Sequence, residues 1–147
     1  MLQKEFKRLY AKGIRAILIS TLNICTMLTS GLMTWKALCL FTNSDNPVVV
    51  VLSGSMKPAF DRGDIMFLTN PVRTPYAIGD IVVYKIPGQS IPIVHRILET
   101  HTLNQSLPTE QWLLTKGDNN SEDDRTGALY GDLEWIERKH IVGKVKG

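Results

Sequence analysis

No cysteine follows Cys39, and the two cysteines the chain holds, Cys25 and Cys39, both fall in its apolar N-terminal part. They are fourteen positions apart. On one helix that separates them by about 21 Å, too far to pair. The rest of the chain therefore holds neither a disulfide nor a cysteine-based metal site, and cysteine usage leaves the redox compartment open. A broad basic face is missing as well. The formal charge of +3 collects before Ala16, where Lys4, Lys7, Arg8, Lys12 and Arg15 oppose only Glu5. From Asn43 onward eleven Lys and Arg face thirteen Asp and Glu, which gives phosphate backbones nothing to follow and excludes nucleic acid as a partner. Internal repeats and low-complexity tracts are absent too. With 147 residues the chain has room for one folded domain of ordinary size.

What the chain does have is one uncharged run of twenty residues, Ala16 to Trp35, bracketed by Arg15 and Lys36. About 20 residues suffice to cross a hydrocarbon core of ~30 Å as a helix. Ser20, Thr21, Asn23, Thr26, Thr29, Ser30 and Thr34 interrupt the run, and such hydroxyls can bond back to helix carbonyls or to neighbouring helices. The bulky Thr34-Trp35-Lys36 end does not suit a signal-peptide cleavage site. The run is read as a transmembrane segment over 16–41, with the lipid bilayer as its environment. Basic side chains gather before it, so the positive-inside rule keeps 1–15 in the cytosol and sends 42–147 across the membrane, with Trp35 at the far interface.

Beyond Asn43 the apolar residues come in short runs separated by turn residues, the pattern of a mainly β domain. Strands are predicted near Val48–Leu52, Ile65–Leu68, Ile81–Ile86, Ile91–Leu98, Trp112–Thr115 and Ile141–Val145. Pro87-Gly88-Gln89-Ser90 is a short turn-rich link that makes the third and fourth a hairpin.

Three places in this domain could carry chemistry. The apolar run Val48 to Leu52 ends in Ser53-Gly54-Ser55-Met56, so a strand edge delivers two hydroxyls into a turn that Gly54 can tighten. Such a turn is either a plain polar loop or a way to aim one hydroxyl outward beside an oxyanion donor. His95 alternates with Ile91, Ile93 and Ile97 on one strand face, as a packed core imidazole or as a base in a dry cleft. Asp118 lies in the turn Lys116-Gly117-Asp118-Asn119-Asn120, and Asp123 and Asp124 follow in the same loop. Turn aspartates ordinarily cap backbone.

VVVLSGSMKPAFDRGDIMFL from Val49 to Leu68, IPIVHR from Ile91 to Arg96 and LLTKGDNN from Leu113 to Asn120 are three ordered motifs at compatible spacing. Together they closely resemble the catalytic subunits of the eukaryotic endoplasmic reticulum signal peptidase complex. The likeness runs from the membrane segment to Gly147, and the basic N-terminus before one span also resembles that family. The resemblance implies a signal-peptidase-type β domain and a serine endopeptidase that cleaves signal peptides from preproteins after small residues. Partner subunits and a lumenal active site on the endoplasmic reticulum membrane are implied as well, without cofactor or metal. It also implies Ser55 as nucleophile, Ser53 as an oxyanion donor beside the N–H of Ser55, and His95 as general base. Asp118 and Asp124 match the two acidic sites, with Asp123 a close rival of Asp124, and one aspartate is implied to orient the imidazole. These roles fit the general need of a serine hydroxyl for a base whose tautomer is fixed by a third group.

Two departures accompany the match. The family usually has Glu where this chain has Lys57, a change that leaves activity expected to survive. Family members also generally continue past the point matched by Gly147 into further strand and an apolar segment. Two other readings remain open at this level: a non-catalytic membrane subunit of the same fold that docks partners, and a Ser-Lys peptidase using Lys57, Lys85 or Lys116. Asn104-Gln105-Ser106 is an N-glycosylation sequon in the part expected to be lumenal.

Overall fold

A computed structural model of the chain describes residues 13–71, 73–102, 110–126 and 129–146. The sequon at Asn104 lies outside the described residues. Two compact units divide the chain, Met1–Leu38 and Cys39–Gly147.

One helix, α1, runs Ile14–Thr42, 29 residues, none of them buried, and is long and apolar enough to cross a membrane. At ~1.5 Å per residue it reaches about 43 Å, more than a hydrocarbon core requires. Its polar residues are largely self-satisfied: the hydroxyls of Thr21, Thr26, Thr29 and Thr34 donate to the carbonyls of Ile17, Leu22, Cys25 and Ser30, each four residues back. Hydroxyls without such acceptors would be costly in lipid. Asn43 ends the helix in the left-handed region at φ 50°. There its N–H reaches Leu40 O and that of Ser44 reaches Cys39 O, the paired bonds of a Schellman cap.

The second unit is mainly a curled antiparallel sheet. Its strands are β1 (Val48–Val50), β2 (Ile65–Thr69), β3 (Ile81–Tyr84), β4 (Ile93–Thr102), β5 (Gln111–Lys116), β6 (Ile136–Glu137) and β7 (Ile141–Lys146). They are ordered β1-β2-β7-β3-β4-β5-β6. The expected hairpin is present, with Tyr84 opposite Ile93 and Ile81 opposite Arg96. Gly88 makes its turn at φ 87°. Five of the six predicted strands overlap an observed one by most of their length, while the first stops at Val50. There the chain turns away, although Val51 still exchanges backbone bonds with Asp64 and Gly63. β4 starts two residues after Ile91, since Pro92 cannot donate to a ladder, and continues to Thr102 along β5. β6, two residues long, has no period for the sequence to show.

Inward-facing side chains from β3, β4, β5 and β6 form the core: Val82, Tyr84, Ile97, Leu113 and Ile136, closed by Tyr130 and Tyr76. Each fully buried side chain of this size contributes about 1.5–3 kcal/mol over an exposed one. Register puts Val82 opposite His95 and Ile97 opposite Thr115. Tyr84, His95 and Thr115 therefore share the inner face of three neighbouring strands, where side chains alternate with a period of two. An otherwise apolar face thus acquires three polar groups side by side.

Candidate active site

Ser55 leaves the sheet in the turn after β1, and the buried Met56 at 1% exposure anchors that turn directly beside it. The loop after β5 clamps the same turn from the other side. Asn119 N–H donates to Ser55 O at 2.8 Å, and Asn119 Nδ2 donates to Gly54 O at 3.2 Å. Gly117 is the point of closest approach. A Cβ there would stand 2.8 Å from Ser55 O, from His95 Nε2 and from Asn120 Nδ2, so no larger residue fits without displacing one of them.

Within this frame Ser55 Oγ lies 3.1 Å from His95 Nε2, and His95 Nδ1 lies 2.5 Å from Asp124 Oδ2. His95 and Asp124 are 2% and 1% exposed, whereas Ser55 is half-buried and open to solvent on one side. An ionised carboxylate can only accept, so Nδ1 carries the imidazole proton and Nε2 is the free acceptor for the Ser55 hydroxyl. Ser53 Oγ stands 3.2 Å from Ser55 Oγ, and with the Ser55 hydrogen turned to His95, Ser53 is the donor between them. The arrangement can deprotonate a serine and hold a second hydroxyl next to the developing charge.

The other aspartates are elsewhere. Asp118 receives both Nε and Nη2 of Arg96, at 2.8 and 2.7 Å, a bidentate pair on the outer side of β4. The Arg96 guanidinium holds its carboxyl below the usual carboxylate range. Asp123 caps its own turn by accepting from Thr126 N–H at 2.7 Å and the Thr126 hydroxyl at 2.9 Å. The structure thus gathers Ser53, Ser55, His95 and Asp124 and sets Asp118 on the neighbouring arginine. Of the lysines weighed as bases, Lys57 pairs with Asp61 at 3.1 Å and Lys116 reaches Gly117 O at 3.4 Å. The group in hydrogen-bond reach of the serine hydroxyl is the His95 imidazole.

Three residues behind the aspartate carried no sequence signal of their own: Tyr84, Thr115 and Tyr130. Tyr84 Oη and Thr115 Oγ1 lie 2.9 and 2.5 Å from Asp124 Oδ2, and Tyr130 Oη lies 2.8 Å from Thr115 Oγ1. Burial, and then the Asp124 charge, push the Tyr84 phenol far up, and burial pushes Tyr130 up to about 12. Both are neutral donors. The alternation of Tyr84 with Val82 and of Thr115 with Leu113 could have placed them inside, but only the three-strand register brings them to one carboxylate.

A cleft of about 370 Å³ opens onto this group, walled by Val49, Val51 and Leu52 on one side and Ile91 and Ile93 on the other. Among the described residues β1 pairs with β2 alone, at the edge of the sheet, and such an edge can receive an extended chain.

A serine hydroxyl, an imidazole and a buried carboxylate in contact on a β domain are the arrangement used by serine hydrolases. Comparison with known proteins narrows this. No protein-family model matches the chain. It is 50% identical over its whole length to the signal peptidase complex catalytic subunit SEC11 of Schizophyllum commune, covering 82% of that protein. A Debaryomyces hansenii protein of the same name is 51% identical over 92% of the chain and 78% of its own length. Human signal peptidase complex catalytic subunit SEC11C is 46% identical over 90% of the chain and 67% of its own length. The chain belongs to the family of signal peptidase complex catalytic subunits, and it is a serine peptidase.

Proposed function

We propose that Ser55 is the nucleophile, His95 the general base and Asp124 the group that orients it, in an endopeptidase that removes signal peptides from preproteins. The observation that carries this reading is the unbroken contact series Ser55 Oγ, His95 Nε2, His95 Nδ1, Asp124 Oδ2, at 3.1 and 2.5 Å. In acylation His95 takes the Ser55 proton as Oγ attacks the scissile carbonyl, and the resulting imidazolium is stabilised by Asp124. The Ser53 hydroxyl turns from Ser55 Oγ to the oxyanion, and His95 then protonates the departing amine of the mature protein. Water, deprotonated by His95, then attacks the ester carbonyl; the bond to Ser55 Oγ breaks, His95 returns the proton to Oγ, and the signal peptide leaves with a new carboxylate. Asp118 serves a different end: its grip on Arg96 fixes the loop that carries Gly117 and Asn119 against the serine turn.

The preprotein lies extended along the free edge of β1, with alternate side chains directed into the apolar cleft beside Ser55. A membrane segment over α1, with 1–15 in the cytosol and 42–147 in the lumen of the endoplasmic reticulum, would put this cleft where signal segments emerge. Other subunits of the complex are its partners. The experiment is processing of a preprotein whose first and third residues before the scissile bond are changed from Ala to Leu or Arg. Cleavage is expected to be abolished. Bulky residues at both positions processed as fast as Ala would overturn the substrate assignment.

A further inference from the structure

The carboxylate that orients the base is itself held from behind, and counting protons shows in which direction. Asp124 Oδ2 accepts from His95 Nδ1–H, and the Tyr84 hydroxyl, at 2.9 Å, can only donate to it. The Thr115 hydroxyl, at 2.5 Å, also spends its single hydrogen there. Tyr130 Oη, 2.8 Å from Thr115 Oγ1, must therefore be the donor to that oxygen, while it accepts from Thr115 N–H at 2.7 Å. Every hydrogen points toward the aspartate: Tyr130 to Thr115 to Asp124, and Tyr84 to Asp124. Tyr84, Thr115 and Tyr130 are each 0% exposed, so no solvent substitutes for them.

We propose that Tyr84 and Thr115, the latter backed by Tyr130, are positioning residues for the peptidase reaction, acting on His95 through Asp124. They hold the carboxylate in one place and donate to its charged oxygen, so that Asp124 keeps His95 Nδ1–H and leaves Nε2 facing Ser55 as the proton acceptor. This rests on the reading of Ser55, His95 and Asp124 as the catalytic group. The pair in its active form carries one net negative charge. A donor to Oδ2 favours that form, and its loss favours uptake of a proton by the pair, whichever member receives it. Removing a donor must therefore move the acid limb of kcat/KM to higher pH. Among the described residues the groups facing the pair are Tyr84 from β3, Thr115 from β5, Ser55 from its turn and Tyr130 behind Thr115, with the Arg96–Asp118 ion pair on the far side of β4. None of these supplies a second cation to Oδ2 that could take over from a lost hydroxyl.

The test is preprotein cleavage against pH by the membrane-extracted complex containing the full chain, with Tyr84→Phe, Thr115→Val, Thr115→Ser and, as control, Ser55→Ala. Tyr84→Phe and Thr115→Val are expected to lower kcat about tenfold with KM nearly unchanged and to shift the acid limb upward by roughly half a pH unit or more, the effect of one lost hydrogen bond to a charged group. Thr115→Ser, which restores the hydroxyl without the methyl, is expected to return both quantities to wild type. If Tyr84→Phe does not accumulate folded, the valine and serine variants at position 115 decide alone. Wild-type kcat and acid limb in folded Thr115→Val, or Thr115→Ser as impaired as Thr115→Val, overturns the proposal while an inactive Ser55→Ala leaves the catalytic reading intact. Full activity in Ser55→Ala overturns that reading itself.

Discussion

Asp124 Oδ2 stands 2.5 Å from His95 Nδ1 with both side chains almost wholly out of solvent, whereas Asp118, six residues earlier, spends its carboxylate on Arg96. The two acids should separate cleanly on substitution. Asp124→Asn preserves shape but lets the amide donate to Nδ1 and favours the wrong tautomer, so kcat should fall about 10³- to 10⁴-fold in protein that still folds. Asp118→Asn should retain most of the turnover. Equal and mild effects at both sites would point to a dyad of Ser55 and His95.

Asp118 has its own pH signature. Its folded carboxyl titrates below the unfolded value because of Arg96. The unfolded chain therefore binds the proton first as pH falls. The pair's contribution is fully present above about pH 4 and disappears below it, as pH passes through the depressed folded value. Thermal melting of wild type should fall over that acid range, and Asp118→Asn should begin lower and lose less of its melting temperature there. An equal acid loss in both proteins would contradict the pairing.

How much of this was legible beforehand differs from residue to residue. Ser55 and His95 stood out as candidates because each breaks an apolar pattern, a serine pair closing a valine strand and an imidazole inside an isoleucine alternation, but that pattern left a plain loop and a packed core imidazole equally open, and only the three ordered motifs gave them roles. The choice among Asp118, Asp123 and Asp124 was not. All three occupy one turn-rich loop, and what distinguishes them is which partner they meet: Arg96, the backbone at Thr126, or His95. Tyr84 and Thr115 read as ordinary strand residues, since their convergence depends on the register of three strands. The position of β7 between β2 and β3 was equally hidden, because strand runs carry no record of their neighbours.

Gly117 offers a purely steric test. Gly117→Ala places a methyl 2.8 Å from Ser55 O and from His95 Nε2, a distance that forces the serine turn and the imidazole apart. A shift of about 1 Å in the reacting groups can cost ~10²-fold in rate. Turnover should fall by that order with KM little changed. Wild-type turnover in Gly117→Ala would mean that the loop closes less tightly on Ser55.

Lys57 should behave in the opposite way. Its ammonium lies on Asp61, and its side chain is 50% exposed. Exposed pairs of this kind are worth about 0–1 kcal/mol. Lys57→Glu is expected to leave preprotein cleavage within about twofold and to lower the melting temperature slightly through repulsion of Asp61. A large loss of kcat would assign Lys57 a part in the reaction.

The most direct measurement is the rate of preprotein cleavage by complex assembled with Ser55→Ala beside wild type at equal levels of folded protein. Ser55 Oγ is the hydroxyl in contact with His95 Nε2, at 3.1 Å. Removing it should leave only the residual rate that the oxyanion donors and substrate binding provide, a loss on the order of 10⁶-fold. Activity near wild type in Ser55→Ala would contradict the account at its centre.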